Sequence, residues 1–196
     1  CIRDSINQVA KTRYVFGGKA KIPLVIRGQQ GIGRGNAATH SQSLETIFMH
    51  FPGLKVACPS TGRDAAGLLR TAIRDDNPVL FFEHKKLYKG GKWEVPDDPE
   101  FMIPFGKADI KRPGKDVTIL TFGAVLYRAL KAADTLKDQY GLEAEVIDAR
   151  TLVPFDYETV IESVKKTGKI IIVGDACERA SMTVSYTHLR AHETLR

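Results

Sequence analysis

Long apolar runs are missing from this 196-residue chain. Segments such as Ile170-Ile171-Ile172-Val173 have strand length, far below the ~20 residues that span a bilayer, so no membrane span is expected. A charged-then-apolar leader is missing too. The first residue is Cys1 and no methionine precedes Met49, so the sequence is expected to be a piece of a longer chain. Paired cysteines are also lacking. Cys1, Cys58 and Cys177 are widely separated, form no C-x-x-C, and have no histidine at zinc-finger spacing, which excludes a disulfide framework and fits a reduced, cytoplasmic setting. Nor is charge gathered in one place. The formal charge is +6, but the basic pairs Lys85-Lys86, Lys111-Arg112 and Lys165-Lys166 are scattered and usually have acids nearby, so a solvated surface is expected rather than a nucleic-acid partner.

What is present is an alternation of strands and helices. Ile6 to Phe16 reads as a helix stopped by Gly17-Gly18, and Ile22 to Ile26 as a buried strand. A glycine loop follows, and Ser41 or Ser43 is placed to cap a helix running to about His50, with Glu45 in its first turn complementing the helix dipole. Leu54 to Cys58 is a second strand. Thr61-x-x-Asp64 opens a helix with Ala65, Leu68, Leu69, Ala72 and Ile73 on one face, and Asn77-Pro78 closes it. Val79 to Phe82 is a third strand, wholly apolar as parallel strands tend to be. From His84 to about Gly114 the composition turns to Gly, Pro, Lys and Asp. A second α/β run then begins: strand Val117 to Leu120, a helix carrying Leu126, Ala129, Leu130 and Ala133, strand Glu145 to Ile147, helix Tyr157 to Lys166, and strand Ile170 to Val173. Alternation of this kind implies an α/β fold with parallel sheets and right-handed crossovers. Four segments are expected: an α/β domain over 1–84, a linker over 85–114, a second domain over 115–181, and a tail over 182–196 without an apolar face, read as non-native.

The segment with most chemical content runs from Val25-Ile26-Arg27-Gly28 through Gly31, Gly33 and Gly35 to His40-Ser41-Gln42. A strand empties into glycines and delivers one imidazole, a group that exchanges protons near neutral pH. The glycines do not form a dinucleotide fingerprint, because Asn36 follows them and the helix waits until after His40. Glu83 and His84, at a strand end, are expected at the surface or a subunit interface.

His40-Ser41-Gln42, together with Pro52-Gly53-Leu54-Lys55-Val56, the run from Ala72 to Val79, the run from Phe82 to Tyr88, Ile103 to Ala108 and Arg150 to Asp156, resembles the beta subunit of the thiamine-diphosphate-dependent 2-oxoacid dehydrogenases. That group comprises the pyruvate, branched-chain and acetoin enzymes. The resemblance implies a three-layer transketolase-type pyrimidine-binding domain, represented by its C-terminal part, followed by a partial transketolase C-terminal domain. It implies an alpha2-beta2 heterotetramer in which thiamine diphosphate is shared with the alpha subunit and magnesium sits on that subunit. The function implied is oxidative decarboxylation of pyruvate with acyl transfer to lipoyl-lysine on an acyltransferase core, in the cytoplasm or, for a eukaryotic protein, the mitochondrial matrix. Branched-chain 2-oxoacids or acetoin are the alternative substrates.

Residue by residue, His40 takes the place of the imidazole beside the reactive thiazolium carbon. The family's activating glutamate lies upstream of Ile22, and no acid here matches it. The resemblance also implies potassium held through main-chain oxygens, with Leu24, Ala72, Ile73, Asp75 and Asn77 as ligands; a solvated helix end with an Asx turn at Asn77 is the alternative. A different class, a non-catalytic nucleotide-binding or electron-transfer module, requires a nucleotide on a glycine-rich strand-to-helix turn.

Overall fold

The computed structural model describes residues 3–33, 35–89 and 91–187. Two four-stranded sheets organise them. The first sets β1 (Val25–Gln30), β3 (Val79–His84), β2 (Lys55–Ala57) and β7 (Thr151–Val153) side by side in that order; the second sets out β4 (Asp109–Arg112), β6 (Ala144–Asp148), β5 (Val117–Thr121) and β8 (Ile170–Ile172). β1 and β2 flank β3 in parallel, as β6 and β8 flank β5. The expected all-parallel pairing is corrected at two edges, where β7 runs antiparallel to β2 and β4 antiparallel to β6. Neither short strand has a long apolar run to announce it. The segment expected as a linker therefore contains a 3-10 turn, Lys85–Lys89, and a strand, β4.

Both faces of each sheet are covered, and the period of two along a strand assigns the layers. On β3, Phe81 joins Leu68, Ala72, Val79 and Ile103 beneath the helix α3 (Gly62–Ile73), while Leu80 and Phe82 point the other way. On β5, Val117 and Ile119 meet Leu126, Ala129 and Ala133 of α4 (Val125–Tyr140), while Leu120 points away. The opposite faces share one cluster: Val56, Leu80, Phe82 and Leu152 from the first sheet lie with Leu120 and Ile147 from the second and with Val160 from the helix that follows β7. That common core joins the two units.

Helix ends follow their chemistry. Thr61 accepts the Asp64 amide at 3.0 Å as N-cap of α3, and Asp156 accepts the Thr159 amide at 3.2 Å to open α5 (Tyr157–Thr167). Gly141 and Gly168, with φ of 68° and 70°, end α4 and α5. Ile73 is the exception on the α3 face. It is 62% exposed, because it falls in the last turn, beyond the sheet.

The first helix, α1 (Ala10–Val15), is preceded by π-helical turns over Arg3–Val9. It lies against Gly53, whose φ is +105° and whose added Cβ would stand 1.9 Å from the Ala10 carbonyl oxygen. Gly53→Ala is therefore expected to cost roughly 2–3 kcal/mol, lowering the melting temperature by about 5–10 °C in a chain of this size. A thermal melt within 1–2 °C of the parent would contradict this.

Three expectations are corrected here. The first strand begins at Val25 rather than Ile22, since Pro23 has no amide to give the ladder, and it continues through Gly28 to Gln30, each residue in register with Val79 to His84. The helix after His40, α2 (Glu45–Met49), has Leu44 at its N-cap and no side-chain cap, so neither Ser41 nor Ser43 caps it. The segment from Met182, excluded above for want of an apolar face, forms α6 (Met182–Thr187), where Met182 and Tyr186, four residues apart, are both buried. The Tyr186 ring stacks on Phe155 at 4.1 Å, and its hydroxyl donates to the Leu152 carbonyl at 2.6 Å. Residues 188–196 of that expected tail lie outside the described residues.

An ionic cluster closes the seam between the start of α3 and the second sheet. Asp64 and Asp148 are fully buried. Lys111 stands 3.3 Å from Asp64, 2.6 Å from Asp109 and 4.0 Å from Asp148, and Arg150 stands 2.9 Å from Asp64 and pairs with Asp109. Ser60 donates to Asp148 Oδ1 at 2.8 Å, and Tyr127 donates to the Ser60 carbonyl at 2.9 Å. Asp148 Oδ2 has no hydrogen-bond partner. Three carboxylates thus face two cations. Burial, with the Asp64 charge next, pushes the Asp148 carboxyl up to about 7.

Candidate active site

β1 and β3 run parallel and end together at Gln30 and His84. The carboxyl ends of parallel strands are where α/β sheets place their ligands. The chain leaves β1 through Gly31 and Gly33, both with φ near +90°, and reaches a 3-10 turn, Ala38–His40. These two glycines do not cradle a ligand. A Cβ on Gly31 would strike the ring of His84, the last residue of β3, at 2.2 Å, whereas one on Gly33 would meet only the flexible end of the Lys86 side chain, so Gly31 yields space to β3 and Gly33 is called for by its φ of +90°. With no helix opening from the loop, a phosphate cradle of the nucleotide-binding kind is not formed there.

The loop is tied down along its length. The Gly31 amide donates to the Gln42 carbonyl at 2.9 Å and the Leu44 amide to Gln30 Oε1 at 3.2 Å. The buried Lys85 ammonium donates to the His40 carbonyl, and Ser43 Oγ donates to Asp175 Oδ1 at 3.3 Å. The His40 imidazole itself is exposed. A backbone held from beneath with its imidazole facing outward is suited to meet a group brought from outside the chain.

Beneath the loop the surroundings are acidic and dry. Glu45 stands in the first turn of α2, as expected, but is fully buried there, and neither carboxylate oxygen has a hydrogen-bond partner of good geometry. Burial pushes its carboxyl up and the Asp175 charge adds to this, against weaker contributions from its own backbone amide and Gln30. His84, expected at the surface or an interface, is 6% exposed, and its Nε2 stands 2.7 Å from Asp175 Oδ2. Desolvation is the largest influence on Asp175 and works against its charge, yet the hydrogen bond and charge of His84, the Ser43 hydroxyl and the Ile32 amide together outweigh it and hold Asp175 below the usual carboxylate range. Cys58 is buried nearby. Burial pushes its thiol well up, and Glu45, Asp148 and Asp175 add to the shift, so it is not a nucleophile. Glu83 lies at the opposite face of β3, paired with Arg27 at 2.7 Å and accepting from Tyr88 at 2.8 Å.

The expected cation ligands converge in part. The Ile22 amide donates to the Asp76 carbonyl at 2.8 Å and the Val79 amide to the Leu24 carbonyl at 2.8 Å, which brings the start of β1 to the turn after α3. Asp75 is turned inward: Oδ1 accepts the Asn77 amide and side-chain nitrogen, both at 2.8 Å, and Oδ2 accepts Lys55. Desolvation opposes ionisation of Asp75, but Lys55 and Asn77 together keep its carboxyl below the ordinary value. The Asx turn is formed. At that helix end the Ala72 carbonyl accepts the Asp75 amide at 3.2 Å.

Sequence reasoning missed Lys85, Ser43 and Asp175 as members of the site. Asp175 lies far along the chain in a segment with no periodicity, and only the meeting of the two sheets reveals it. The one available signal was His84, a titratable residue at a strand end. A broad apolar groove of about 880 Å³ between α2 and β7, lined by Ile47, Met49, Phe51, Val153, Phe155 and Tyr186 among others, does not include His40.

Comparison with known proteins gives the context. The transketolase pyrimidine-binding domain matches residues 4–90 and the transketolase C-terminal domain residues 106–192. The beta subunit of acetoin:2,6-dichlorophenolindophenol oxidoreductase from Cupriavidus necator is 53% identical over 93% of this chain and 53% of its own length. From Bacillus subtilis, the 2-oxoisovalerate dehydrogenase subunit beta is 45% identical over 92% of this chain and 55% of its own length. The B. subtilis pyruvate dehydrogenase E1 component subunit beta is also 45% identical, over 94% of this chain and 56% of its own. The chain thus spans about half the length of the curated relatives it matches. Among solved structures, a split-gene transketolase, described as an inactive beta4 tetramer, superposes with a TM-score of 0.74 at 22% identity, covering 94% of this chain and 61% of that one, a likeness of fold. With both transketolase-type domains matched in order, and these relatives alongside them, the chain belongs to the transketolase-type family that includes the beta subunits of the 2-oxoacid and acetoin dehydrogenases.

Proposed function

We propose that this chain is the His40-bearing part of a beta subunit of a thiamine-diphosphate-dependent pyruvate dehydrogenase, the component that decarboxylates the 2-oxoacid oxidatively and passes the acyl group to lipoyl-lysine. The observation that carries the reading is the His40 loop: an outward imidazole on a backbone held by Lys85, at the carboxyl ends of two parallel strands. Thiamine diphosphate, when bound, supplies the thiazolium carbon that takes up the 2-oxoacid and lets carbon dioxide leave. Among the described residues the turn out of β1 forms no phosphate cradle, the His84 ring filling the Cβ position of Gly31. That fits a diphosphate and magnesium held by an alpha subunit in an alpha2-beta2 assembly. His40 donates a proton toward negative charge developing on the substrate oxygen and orients the incoming lipoyl group.

In this reading residues 1–84 belong to the pyrimidine-binding domain, 85–114 connect, and 115–181 belong to the C-terminal domain, with the protein in the cytoplasm. Among the described residues no helix is long and apolar enough to cross a membrane. Acetoin is the second substrate reading, because the acetoin enzyme's subunit reaches 53% identity. Co-expression of the full-length protein with its alpha chain, assayed with pyruvate, branched 2-oxoacids and acetoin, is expected to give thiamine-dependent turnover fastest with pyruvate. Absence of turnover with all three refutes the reading, and a preference for acetoin selects the second.

A potassium ion at the main-chain oxygens of Leu24, Ala72, Ile73, Asp75 and Asn77 belongs to the same reading. Its support is the joining of Leu24 to the turn after α3 and a helix end with a negative dipole. The melting temperature is expected to be higher in potassium chloride than in tetramethylammonium chloride at equal ionic strength. Equal melting in the two salts counts against the site.

A further inference from the structure

The polar groups beneath the His40 loop form a clasp whose parts come from both sheets. From the first, β3 ends in His84, and Lys85 follows it at the start of the 3-10 turn. From the second, the chain beyond β8 brings Asp175, 91 residues from His84 and 132 from Ser43 in sequence. The Lys86 amide donates to His84 Nδ1 at 3.2 Å, so the ring proton sits on Nε2 and points at Asp175 Oδ2, 2.7 Å away. The other oxygen of Asp175 accepts from Ser43, three residues after His40, at 3.3 Å. His84 is buried and the Asp175 side chain is 14% exposed, so the two bonds are made out of water, where they are strong and costly to lose. On the same side Lys85 fixes the His40 carbonyl. The remaining titratable groups facing the pair are Glu45 and Cys58, both buried.

From this geometry we infer that the His84–Asp175 pair is a positioning device for His40, through which the C-terminal domain fixes the loop that presents the imidazole. The inference rests on the role proposed above for His40. A loop opened by Gly31 and Gly33 has little stiffness of its own; the Gly31 amide closes it on the Gln42 carbonyl, and two ties from outside it, at the His40 carbonyl and at Ser43, define its course. Asp175 is the tie the second domain contributes. Its loss shifts His40 rather than removing it, and a displacement of about 1 Å at a reacting group costs on the order of 100-fold in rate.

The test uses the full-length protein assembled with its alpha chain. Asp175→Ala is expected to lower kcat for lipoyl acylation roughly 10- to 100-fold, with KM for the 2-oxoacid unchanged within two-fold. Asp175→Glu, which keeps a carboxylate for His84, is expected to recover part of the rate. Ser43→Ala, which cuts only the tie to the loop, is expected to lower kcat several-fold without changing the melting temperature. The decisive measurement is the double variant. On a His40→Ala background neither Asp175→Ala nor Ser43→Ala is expected to reduce kcat further, because each acts through His40. If their losses multiply with that of His40→Ala, the pair is structural and the inference is overturned, while the role of His40 stands. If His40→Ala itself leaves kcat unchanged, the functional reading fails first. Should Asp175→Ala not assemble, Ser43→Ala and Asp175→Glu decide by the same criterion.

Discussion

His40→Ala in the assembled enzyme is expected to lower acyl transfer to lipoyl groups by roughly 100- to 10,000-fold, the usual range for a removed proton donor. The imidazole is exposed, so alanine leaves no cavity. The backbone contacts from Lys85 to the His40 carbonyl and from Gly31 to the Gln42 carbonyl do not depend on the side chain. The melting temperature and the tetramer should therefore stay as in the parent, an exposed change of this kind costing within about 0.5 kcal/mol. Transfer to lipoyl groups is expected to fall more than decarboxylation followed with an artificial electron acceptor, since orienting the incoming lipoyl group is part of the assigned role. Turnover equal to the parent's on lipoyl substrate would remove His40 from the mechanism.

Asp148→Asn is expected to stabilise the protein at pH 8 and to change little near pH 4. The folded carboxyl lies at about 7, against ~3.9 for an unfolded Asp. Between those values the folded state holds a proton that the unfolded state has released, so the parent's stability falls as pH rises through that window and levels off above it. Below ~4 both states are protonated and the stabilising contribution is complete. Asparagine keeps an oxygen for the 2.8 Å bond from Ser60 and leaves Asp64 and Asp109 to face Lys111 and Arg150, two charges against two. The gain at pH 8 is about 4 kcal/mol at most. Melting curves of both proteins from pH 4 to pH 8 test it: a gap that does not widen with pH disproves the proton uptake.

Legibility in the sequence followed the strength of local pattern. β3 was readable because Val79 to Phe82 is an apolar run of strand length, β5 and β6 because Val117 to Leu120 and Glu145 to Ile147 are rich in β-branched residues between helical patterns, and α3 because Thr61 and Asp64 write its start. β4 and β7 were not. Asp109-Ile110-Lys111-Arg112 has three charged residues in four, and Thr151–Val153 is three residues long, so their pairing comes from partners distant in sequence rather than from periodicity. The His40 loop was legible from its glycines, but the reason for Gly31 was not: it yields space to the ring of His84, which the register of β1 and β3 places beside it. Glu45 shows the same limit. Its place in a first turn suggested the dipole, while packing of α2 on the core put it in the dry interior.

β7 has a further meaning for how the molecule tolerates division. It is drawn from the second half of the chain yet hydrogen-bonds to β2 of the first. A polypeptide cut anywhere between β3 and β7 would leave the β2 rim without its neighbour, offering unsatisfied amides and carbonyls to whatever strand arrives. Exchanging the first half alone would therefore have to carry Thr151–Val153 along with the sheet that strand completes.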